Sequence, residues 1–264
     1  MAMFGGSLFL FPHPVKELAD FLKSFDMHIN YDAAHVAGLI AGGKFQDPLR
    51  EGADTMTMST HKTLFGPQGG LVLGSEKHED VIKKAIFPGL TSSHHIHHMA
   101  GKAVAFAEAL EFGKDYASQI IKNAKVFAQA LNDVGFKVLG ESKGFTESHQ
   151  VAVNVLDYSD GGKVEVDLEK ANIIVNRQLI PGDIKAGRNY FHPRGIRLGV
   201  SEITRLGMKQ NEMKEIASYI KEVIIEKKDP KKILSKVKDF RKNYQKVHYC
   251  FDNKLGAYEY VKLR

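Results

Sequence analysis

Two polar stretches stand where strands are predicted to end. Asp32 and His35 follow the strand predicted at Met27–Tyr31, and Ser59–Thr63, which contains Lys62, lies at the end of the strand predicted at Ala53–Ser59. The glycine-rich segment Gly66–Gly70 comes directly afterwards. Because the carboxyl ends of parallel strands meet at one edge of a sheet, we expect these groups to lie close together.

A lysine, a carboxylate, a small hydroxyl residue and an arginine are the groups that a pyridoxal-phosphate (PLP) site takes from its protein. The lysine forms a Schiff base with the cofactor, and the carboxylate keeps the pyridine nitrogen protonated. Lys62 and Asp32 can supply these two groups, and Ser59 can help to hold the phosphate. Arg197 can bind a substrate carboxylate in bidentate geometry. Taken singly, each is more often a cap, turn or surface residue, so the prediction depends on their combination.

Strands and helices alternate in the first half, which predicts βαβ units with parallel strands and an α/β fold. The strands are too few for a doubly wound sheet, so this part looks incomplete at its N-terminus. The predicted strands are Phe4–Phe11, Met27–Tyr31, Ala53–Ser59 and Gly70–Gly74, and the predicted helices are Val15–Phe25 and His35–Ala41.

A long helix is predicted from about His97 to Val134, followed by an α+β region. Residues 1–112 are predicted to be part of a large domain, and residues 113–264 a smaller domain with a basic tail. The strands of the second region are predicted at Phe136–Leu139, Gln150–Val155, Ile173–Asn176 and Gly195–Val200, and its helices at Lys163–Ala171 and Glu212–Glu226.

The composition is that of an ordinary globular protein, with 43% hydrophobic and 26% charged residues. No apolar run is long enough to span a membrane, and the N-terminus does not resemble a signal peptide. The single cysteine, Cys250, cannot form an internal disulfide. We therefore expect a soluble cytoplasmic protein.

Positive charge is concentrated in residues 226–264, which hold 12 lysines and arginines against 5 acidic residues. Such a tail can meet RNA or another acidic surface. A solvated surface helix is the favoured interpretation, because no RNA-binding motif accompanies the charge. Nucleic acid is therefore not an expected partner.

His94, His95, His97 and His98 raise the question of a metal site, since on a helix residues 94 and 97, or 94 and 98, would share a face and could bind zinc. No carboxylate or cysteine ligand is evident nearby, so no metal is expected.

Several ordered motifs closely resemble the serine hydroxymethyltransferase family. The resemblance runs from Gly5 to about Met208, and the block Ser59–Gly70 is its most specific part. Phe45–Arg50 and Leu90–His95 are similar to the archaeal branch. The remaining matching segments are Asp32–Ala41, Phe87–Gly89, Ala100–Ala105, Ala171–Asn176 and Gly195–Gly199.

The resemblance implies a fold-type-I PLP-dependent transferase, similar to aspartate aminotransferase and forming a homodimer. The implied reaction moves the hydroxymethyl carbon of serine reversibly to a tetrahydropterin, either tetrahydrofolate or tetrahydromethanopterin, and leaves glycine. Lys62 would carry the cofactor, with His61 and Thr63 beside it as catalytic residues. The implied cofactor-binding residues are Asp32 at the pyridine nitrogen, His35 and Ser7 near the phenolic oxygen, Ser59, and Gly89 near the phosphate of the partner subunit's cofactor.

The resemblance also implies Arg197 as the ligand of the substrate carboxylate. The segment Asn189–His192 either lines the pterin pocket or is an ordered loop. Ser92 and Ser93 stand where bacterial relatives carry paired glycines near the partner's phosphate, which we interpret as lineage variation.

The family's N-terminal portion would precede Gly5, and it would hold a glutamate, a tyrosine and a histidine of the active site. Without it, the chain is expected to be a truncated or split enzyme of low activity alone, with a separate N-terminal fragment as a potential partner. Two alternatives stay open: another fold-type-I enzyme such as a threonine aldolase or aminotransferase, and a non-catalytic remnant that serves as a binding subunit.

Overall fold

The computed structural model describes residues 1–258 and divides into two compact units, Met1–Ser118 and Gln119–Arg264. Each unit is built on its own four-stranded sheet. The boundary falls within the long helix, and the division at residue 112 stays a prediction. No helix among residues 1–258 combines the length and apolarity needed to cross a membrane. The last six residues of the basic tail lie outside the described residues.

Strands β1, β2 and β3 of the first unit are parallel, and β4 joins the sheet antiparallel to β3 in the order β1-β2-β3-β4. The elements of this unit are β1 (Ala2–Gly5), α1 (Val15–Lys23), β2 (Ile29–Asp32), α2 (Ala37–Ala41), β3 (Thr55–His61), β4 (Phe65–Gly74), α3 (Glu79–Lys84) and α4 (Ile96–Asp133), the last of which continues into the second unit.

The expectation of parallel pairing is confirmed for the first three strands and wrong for β4. Only three residues separate His61 from Phe65, which pair directly with each other. A parallel crossover needs a dozen residues or more, so this connection can only be a hairpin. The polar stretch with Lys62 therefore lies in a turn between neighbouring strands.

The prediction of one buried strand over Phe4–Phe11 is also wrong, because β1 ends at Gly5. Gly5 has a φ of +95°, which ends the extended backbone and turns the chain out of the sheet. Phe9 is fully buried all the same, in an irregular segment packed against Tyr31 and Phe45. Apolarity alone did not distinguish this segment from a strand.

Helix α1 confirms the helix predicted from Val15, but it buries only part of its apolar face. Val15 and Ala19 are buried, whereas Phe21 and Phe25 are 61% and 64% exposed. The long helix α4 confirms the helix predicted over this stretch within one residue at each end.

The sheet of the second unit is antiparallel throughout, in the order β5-β6-β8-β7, and it packs its apolar side chains against helices. Its elements after α4 are β5 (Lys137–Val138), β6 (Gln150–Asn154), α5 (Gly161–Glu169), β7 (Asn176–Gln178), β8 (Gly195–Gly199), α6 (Ser201–Arg205), α7 (Gln210–Ile224) and α8 (Pro230–Arg241).

The strand predicted at Ile173–Asn176 lies further along the chain. Asn172 has a φ of +61°, so the backbone leaves α5 through a left-handed turn, and Ile174 is 74% exposed. Pairing begins only at Asn176, opposite Arg197.

The basic tail contains one helix, α8, among its described residues, in keeping with the surface-helix interpretation. Asp229 caps the helix by accepting from the Lys231 N–H, and Pro230 occupies its first turn. Ile233 and Val237 are buried, while the lysines at 231, 232 and 238 are exposed.

Candidate active site in the first unit

Three parallel strands bring the predicted cofactor residues of the first unit to one edge of the sheet. Gly5 pairs with Asp32, and Asp32 pairs with Thr57, two residues before Ser59. The segments that carry Ser7, Asp32 and Lys62 therefore leave the sheet at the same edge, as the strand-end argument predicts.

Gly5 lies so close to the backbone of Asp32 that a residue with a side chain could not take its place. A Cβ atom at this position would lie 2.2 Å from the carbonyl oxygen of Asp32. The Gly5 N–H donates to Nδ1 of His13 at 3.1 Å. The glycine thus permits close approach of β1 to β2 and directs the following segment, with the exposed Ser7, away from the sheet.

Asp32 is half-buried at the end of β2, with one carboxylate oxygen engaged. Its Oδ1 atom accepts from the Ala34 N–H at 2.9 Å, which fixes the carboxylate over the following turn. Its other oxygen accepts no hydrogen bond from residues 1–258. That oxygen is suited to accept from a ring N–H.

Lys62 stands at the tip of the hairpin between β3 and β4. It is exposed, and its ammonium forms no hydrogen bond or ion pair with the described residues. Beside it, Nδ1 of His61 accepts from the Gly69 N–H at 3.3 Å, and the Thr60 hydroxyl donates to the Pro67 carbonyl at 2.7 Å. A rigid hairpin thus presents an amine with no competing partner.

Thr63 connects this hairpin to the segment after Asp32. Its buried hydroxyl donates to the backbone carbonyl of His35 at 2.9 Å and accepts from the Gly38 N–H at 3.0 Å. A Cβ at Gly38 would lie 2.1 Å from the Thr63 carbonyl oxygen, so the two backbones touch. The hydroxyl is therefore occupied by positioning contacts, and the catalytic role assigned to Thr63 stays a prediction.

Ser59 lies in β3 opposite Gly70 and is half-buried. The glycine-rich strand that faces it is covered by the start of α4. A Cβ at Gly66 would lie 3.2 Å from Ala105, and one at Gly101 would lie 3.1 Å from Pro67. These glycines allow the helix to pack directly on the strand.

The histidine cluster also belongs to the first unit. The rings of His95, His97 and His98 have centroids 4.4 to 5.5 Å apart, and His98 is near the Gln68 backbone. Desolvation and the neighbouring His97, His95 and Lys102 lower the pKa of His98. Among residues 1–258, no group of three or more His, Cys, Asp or Glu side chains is arranged to hold a metal ion.

A half-buried hydrogen-bond network around Gln46 could not be predicted from the sequence. The Gln46 Oε1 atom accepts from the His13 N–H and from the Tyr31 hydroxyl, each at 2.7 Å. Its Nε2 donates to the His13 carbonyl at 3.0 Å and to Glu51 at 2.6 Å. Gln46 therefore fixes the segment that contains Ser7 onto β2. A lone glutamine in a loop offers no periodic signal that would reveal this role.

Ionisation within the network follows from burial. Burial raises the pKa of Tyr31, and the carboxylates of Glu51 and Asp32 raise it further. Burial lowers the pKa of His13. Both groups are therefore held neutral at neutral pH, which suits a network of neutral donors and acceptors.

Gly89 lies on an exposed segment, Ala85–Leu90, that contains a cis Phe87–Pro88 bond. A Cβ there would lie 2.8 Å from the Lys84 carbonyl oxygen. The approach of Gly89 to a partner's phosphate stays a prediction.

Arg197 belongs to the second unit, in the middle of β8, and is described there by itself. Its Nη2 atom donates to Oδ1 of Asn176 at 3.2 Å, and burial lowers its pKa. One residue beyond the N-terminal end of the strand, Arg194 forms an ion pair with the fully buried Asp183. The predicted pterin segment, Asn189–His192, is an ordered turn in which Asn189 Oδ1 accepts from the Phe191 N–H at 2.9 Å.

Comparison with known proteins gives a consistent result. Residues 9–220 match the family model described as serine hydroxymethyltransferase. Over all 264 residues, the chain is 89% identical to serine hydroxymethyltransferase of Nitrosopumilus maritimus and 76% identical to that of Cenarchaeum symbiosum. In both cases it spans 60% of the relative's length.

A solved structure extends the likeness to three dimensions. The L-threonine transaldolase of Pseudomonas fluorescens, solved in its internal aldimine state, superposes with a TM-score of 0.84 at 35% identity, over 96% of this chain and 57% of that one. The predicted α/β fold of type I, that of PLP-dependent transferases, is thereby confirmed. With the match to the family model over most of its length, the chain belongs to the serine hydroxymethyltransferase family.

Proposed function

We propose that this chain carries the cofactor-binding lysine and the amino-acid-binding residues of a PLP-dependent serine hydroxymethyltransferase. The reaction transfers the hydroxymethyl carbon of serine to a tetrahydropterin and leaves glycine. The observation that carries the proposal is Lys62, an amine with no partner among the described residues, held on a hairpin that Thr63 anchors to the segment after Asp32.

The residues at this edge fit PLP. Lys62 offers a free amine, and Asp32 offers one carboxylate oxygen that no described residue engages. A Cβ built on Gly6, just after β1, would meet no atom within 4 Å. When bound, PLP supplies an electron sink that allows the bond between the α and β carbons of serine to break.

The roles of the protein groups follow from their chemistry. Asp32 holds the proton on the cofactor's ring nitrogen, and Lys62 holds the cofactor covalently. His35 and Ser7 bind near its phenolic oxygen, while Ser59 and the partner subunit's copy of the Gly89 turn bind its phosphate. His61, kept in orientation by the Gly69 N–H, lies against the ring. Arg197 binds the carboxylate of serine or glycine through two parallel hydrogen bonds.

Thr63 acts in this proposal as a positioning residue rather than a proton carrier. Its hydroxyl proton is donated to the His35 carbonyl, and one oxygen lone pair accepts from the Gly38 N–H, so it has no proton left to donate to a substrate. Its contribution is to fix where the lysine stands relative to Asp32 and His35.

The proposal extends to the one-carbon acceptor, the oligomeric state and the cellular location. The carrier is tetrahydrofolate or tetrahydromethanopterin, bound near Asn189–His192. The assembly is a cytoplasmic homodimer. Because the chain spans 60% of the length of its relatives, we propose that catalysis also uses the part of the family that is not in this chain, supplied on the same or a separate polypeptide.

PLP titration tests the proposal directly. The chain is titrated with PLP, alone and with an N-terminal fragment of the Nitrosopumilus maritimus relative, and visible absorbance and glycine production from serine are followed. We expect a visible band that disappears in Lys62→Ala and persists in Lys44→Ala, a matched change at another exposed lysine. A band that survives Lys62→Ala overturns the assignment of the lysine, and no band under either condition supports a non-catalytic binding subunit.

Substrate preference is tested in the same assay. The likeness to an L-threonine transaldolase makes threonine the relevant competitor. We expect serine cleavage to depend on the added tetrahydropterin. Cleavage of threonine faster than serine, with no effect of the pterin, would favour an aldolase.

A further inference from the structure

The second unit contains a cavity that the proposed reaction does not use. It has a volume of about 560 Å³, which is in the range of small-molecule sites. Its walls come from β8 and helices α4, α6, α7 and α8, together with residues 172–175 and Tyr258. Every lining residue belongs to the second unit.

The floor and sides of this cavity are apolar. Ile203 of α6 and Leu206, which follows that helix, line the cavity together with Ile216 and Ile220 of α7, and Val237 and Phe240 of α8 complete the wall. The rings of Tyr219 and Phe240 meet edge to face with centroids 5.9 Å apart. Such a lining favours a branched or aromatic group of a ligand, because it removes apolar surface from water.

The polar groups of the lining include one carboxylate and one guanidinium, and both contact Tyr258. Glu202 accepts a hydrogen bond from the Tyr258 hydroxyl, and the guanidinium carbon of Arg241 lies 5.4 Å from the centroid of the Tyr258 ring. Tyr258 therefore stands between an anion and a cation. A ligand head that offers an ammonium to Glu202 and a carboxylate to Arg241 would satisfy both charges at once.

We propose that this cavity binds a small zwitterion with an apolar body, of the class of aromatic and branched amino acids. The apolar body enters between α6, α7 and α8, and the head group lies at Glu202, Arg241 and Tyr258. Glu202 is exposed and Arg241 is half-buried, so the pair favours a ligand that carries both charges over one that carries a single charge.

Binding is tested with L-phenylalanine on the full chain without PLP, by equilibrium dialysis. We expect saturable binding with a dissociation constant in the range of about 0.1 to 1 mM, and no binding of L-alanine, which has the head group without the apolar body. Lys62→Ala should bind L-phenylalanine as the unchanged chain does. Loss of binding in Lys62→Ala, or no saturable binding below about 10 mM, overturns the proposal.

Cavity-filling variants separate this site from others on the surface. Ile203→Trp and Ile216→Trp place an indole in the cavity from half-buried positions, so they are compatible with folding. We expect each to weaken L-phenylalanine binding by at least about tenfold. Val166→Trp, on the exposed side of α5, is the matched control and should bind normally with an unchanged melting temperature. Equal affinity in all three variants overturns the site.

Head-group recognition is tested with ligand analogues. Glu202→Gln should weaken binding of 2-phenylethylamine and leave 3-phenylpropionate unchanged, and Arg241→Gln should do the reverse. The same response to both variants from both analogues would show that the head group does not lie at this pair, and would overturn that part of the proposal.

Discussion

The hydroxyl of Thr63 donates to the backbone carbonyl of His35 across 28 positions of sequence, at 2.9 Å and in a buried position. The same hydroxyl also accepts a hydrogen bond from the Gly38 N–H. Together the two bonds hold the hairpin of Lys62 against the segment that follows Asp32. Two parts of the proposed cofactor site are thereby connected through a single oxygen atom.

Removal of this oxygen is the first prediction. Thr63→Val keeps the shape but leaves a buried carbonyl and N–H without partners, so we expect the free energy of unfolding to fall by about 1–3 kcal/mol. PLP affinity should fall as well, because the lysine loses its anchor. Thr63→Ser, which keeps the hydroxyl, should retain most of both. Urea unfolding and PLP titration measure the two effects, and equal values for Val and Ser would contradict the anchoring role.

Lys62 should be dispensable for folding. Its ammonium contacts no described residue, so Lys62→Ala is expected to change the unfolding free energy of the cofactor-free chain by less than about 0.5 kcal/mol. The stabilisation that PLP gives to the original chain should disappear in the variant. Thermal unfolding with and without PLP measures both. A large loss in the cofactor-free state would mean that the lysine has a structural partner.

Gly5→Ala should lower the free energy of unfolding for two reasons, backbone strain and a steric clash. Comparison with Gly43→Ala separates them. Gly5 combines a positive φ with a Cβ position 2.2 Å from the Asp32 carbonyl, whereas Gly43 has a φ of +62° and open space. Gly43→Ala should therefore cost only the conformational penalty of about 1–2 kcal/mol. Gly5→Ala should cost clearly more and lower PLP affinity. Chemical unfolding compares them, and equal costs would show that β1 can shift freely.

Gln46→Leu tests the half-buried network around Gln46. It removes bonding partners from the His13 backbone, from the Tyr31 hydroxyl and from Glu51, so we expect a loss of about 2–4 kcal/mol in urea unfolding. Gln68→Leu, at an exposed glutamine of the same unit, should have little effect. Similar stabilities of the two variants would argue against the network.

Acid sensitivity is predicted for the second unit through Asp183. Burial raises the pKa of this carboxyl, but hydrogen bonds from the Ile180 N–H and from Arg194 outweigh burial, and the pKa is lower than usual. A carboxyl with a lowered folded-state pKa contributes stability above its unfolded pKa of about 3.9, and the contribution disappears as the pH falls through the folded value. The difference between the original chain and Asp183→Asn should therefore be largest near pH 7 and shrink below about pH 4.

A surface ion pair provides the control for this experiment. Asp157 pairs with Lys137 at 2.8 Å with more than half of its side chain exposed. Asp157→Asn should change stability by less than about 1 kcal/mol. If the two variants have parallel pH profiles, the buried pair is not the source of the acid sensitivity.

The positions of the residues proposed to carry the chemistry were the most predictable part of the candidate site. Asp32, Ser59 and Lys62 lie near the ends of apolar runs, and parallel strands bring such ends to one edge of a sheet. The glycines after Lys62 indicate that the backbone there lies close to a neighbouring element. The direction of β4 was not predictable from its composition, because an apolar run is compatible with either pairing. Only the three-residue spacing between His61 and Phe65 indicates the hairpin.

Positions whose role depends on distant partners could not be predicted. Gln46 acts through His13 and Tyr31, which are far from it in sequence and give no local pattern. The left-handed turn at Asn172 moved the expected strand along to Asn176, because a single backbone dihedral decided where pairing starts.

The hairpin also determines how the family can tolerate changes in chain length. The place of Lys62 is set by pairs between His61 and Phe65 and between Ser59 and Gly70, all within a dozen residues of one another. Insertions in remote loops therefore leave the lysine's immediate setting intact. One residue added between Ser59 and Phe65 would change either the turn that carries Lys62 or the pairing of His61 with Phe65, and would therefore move the lysine relative to Asp32. We therefore expect length variation among functional relatives to be absent from this interval, even where the rest of the chain has diverged.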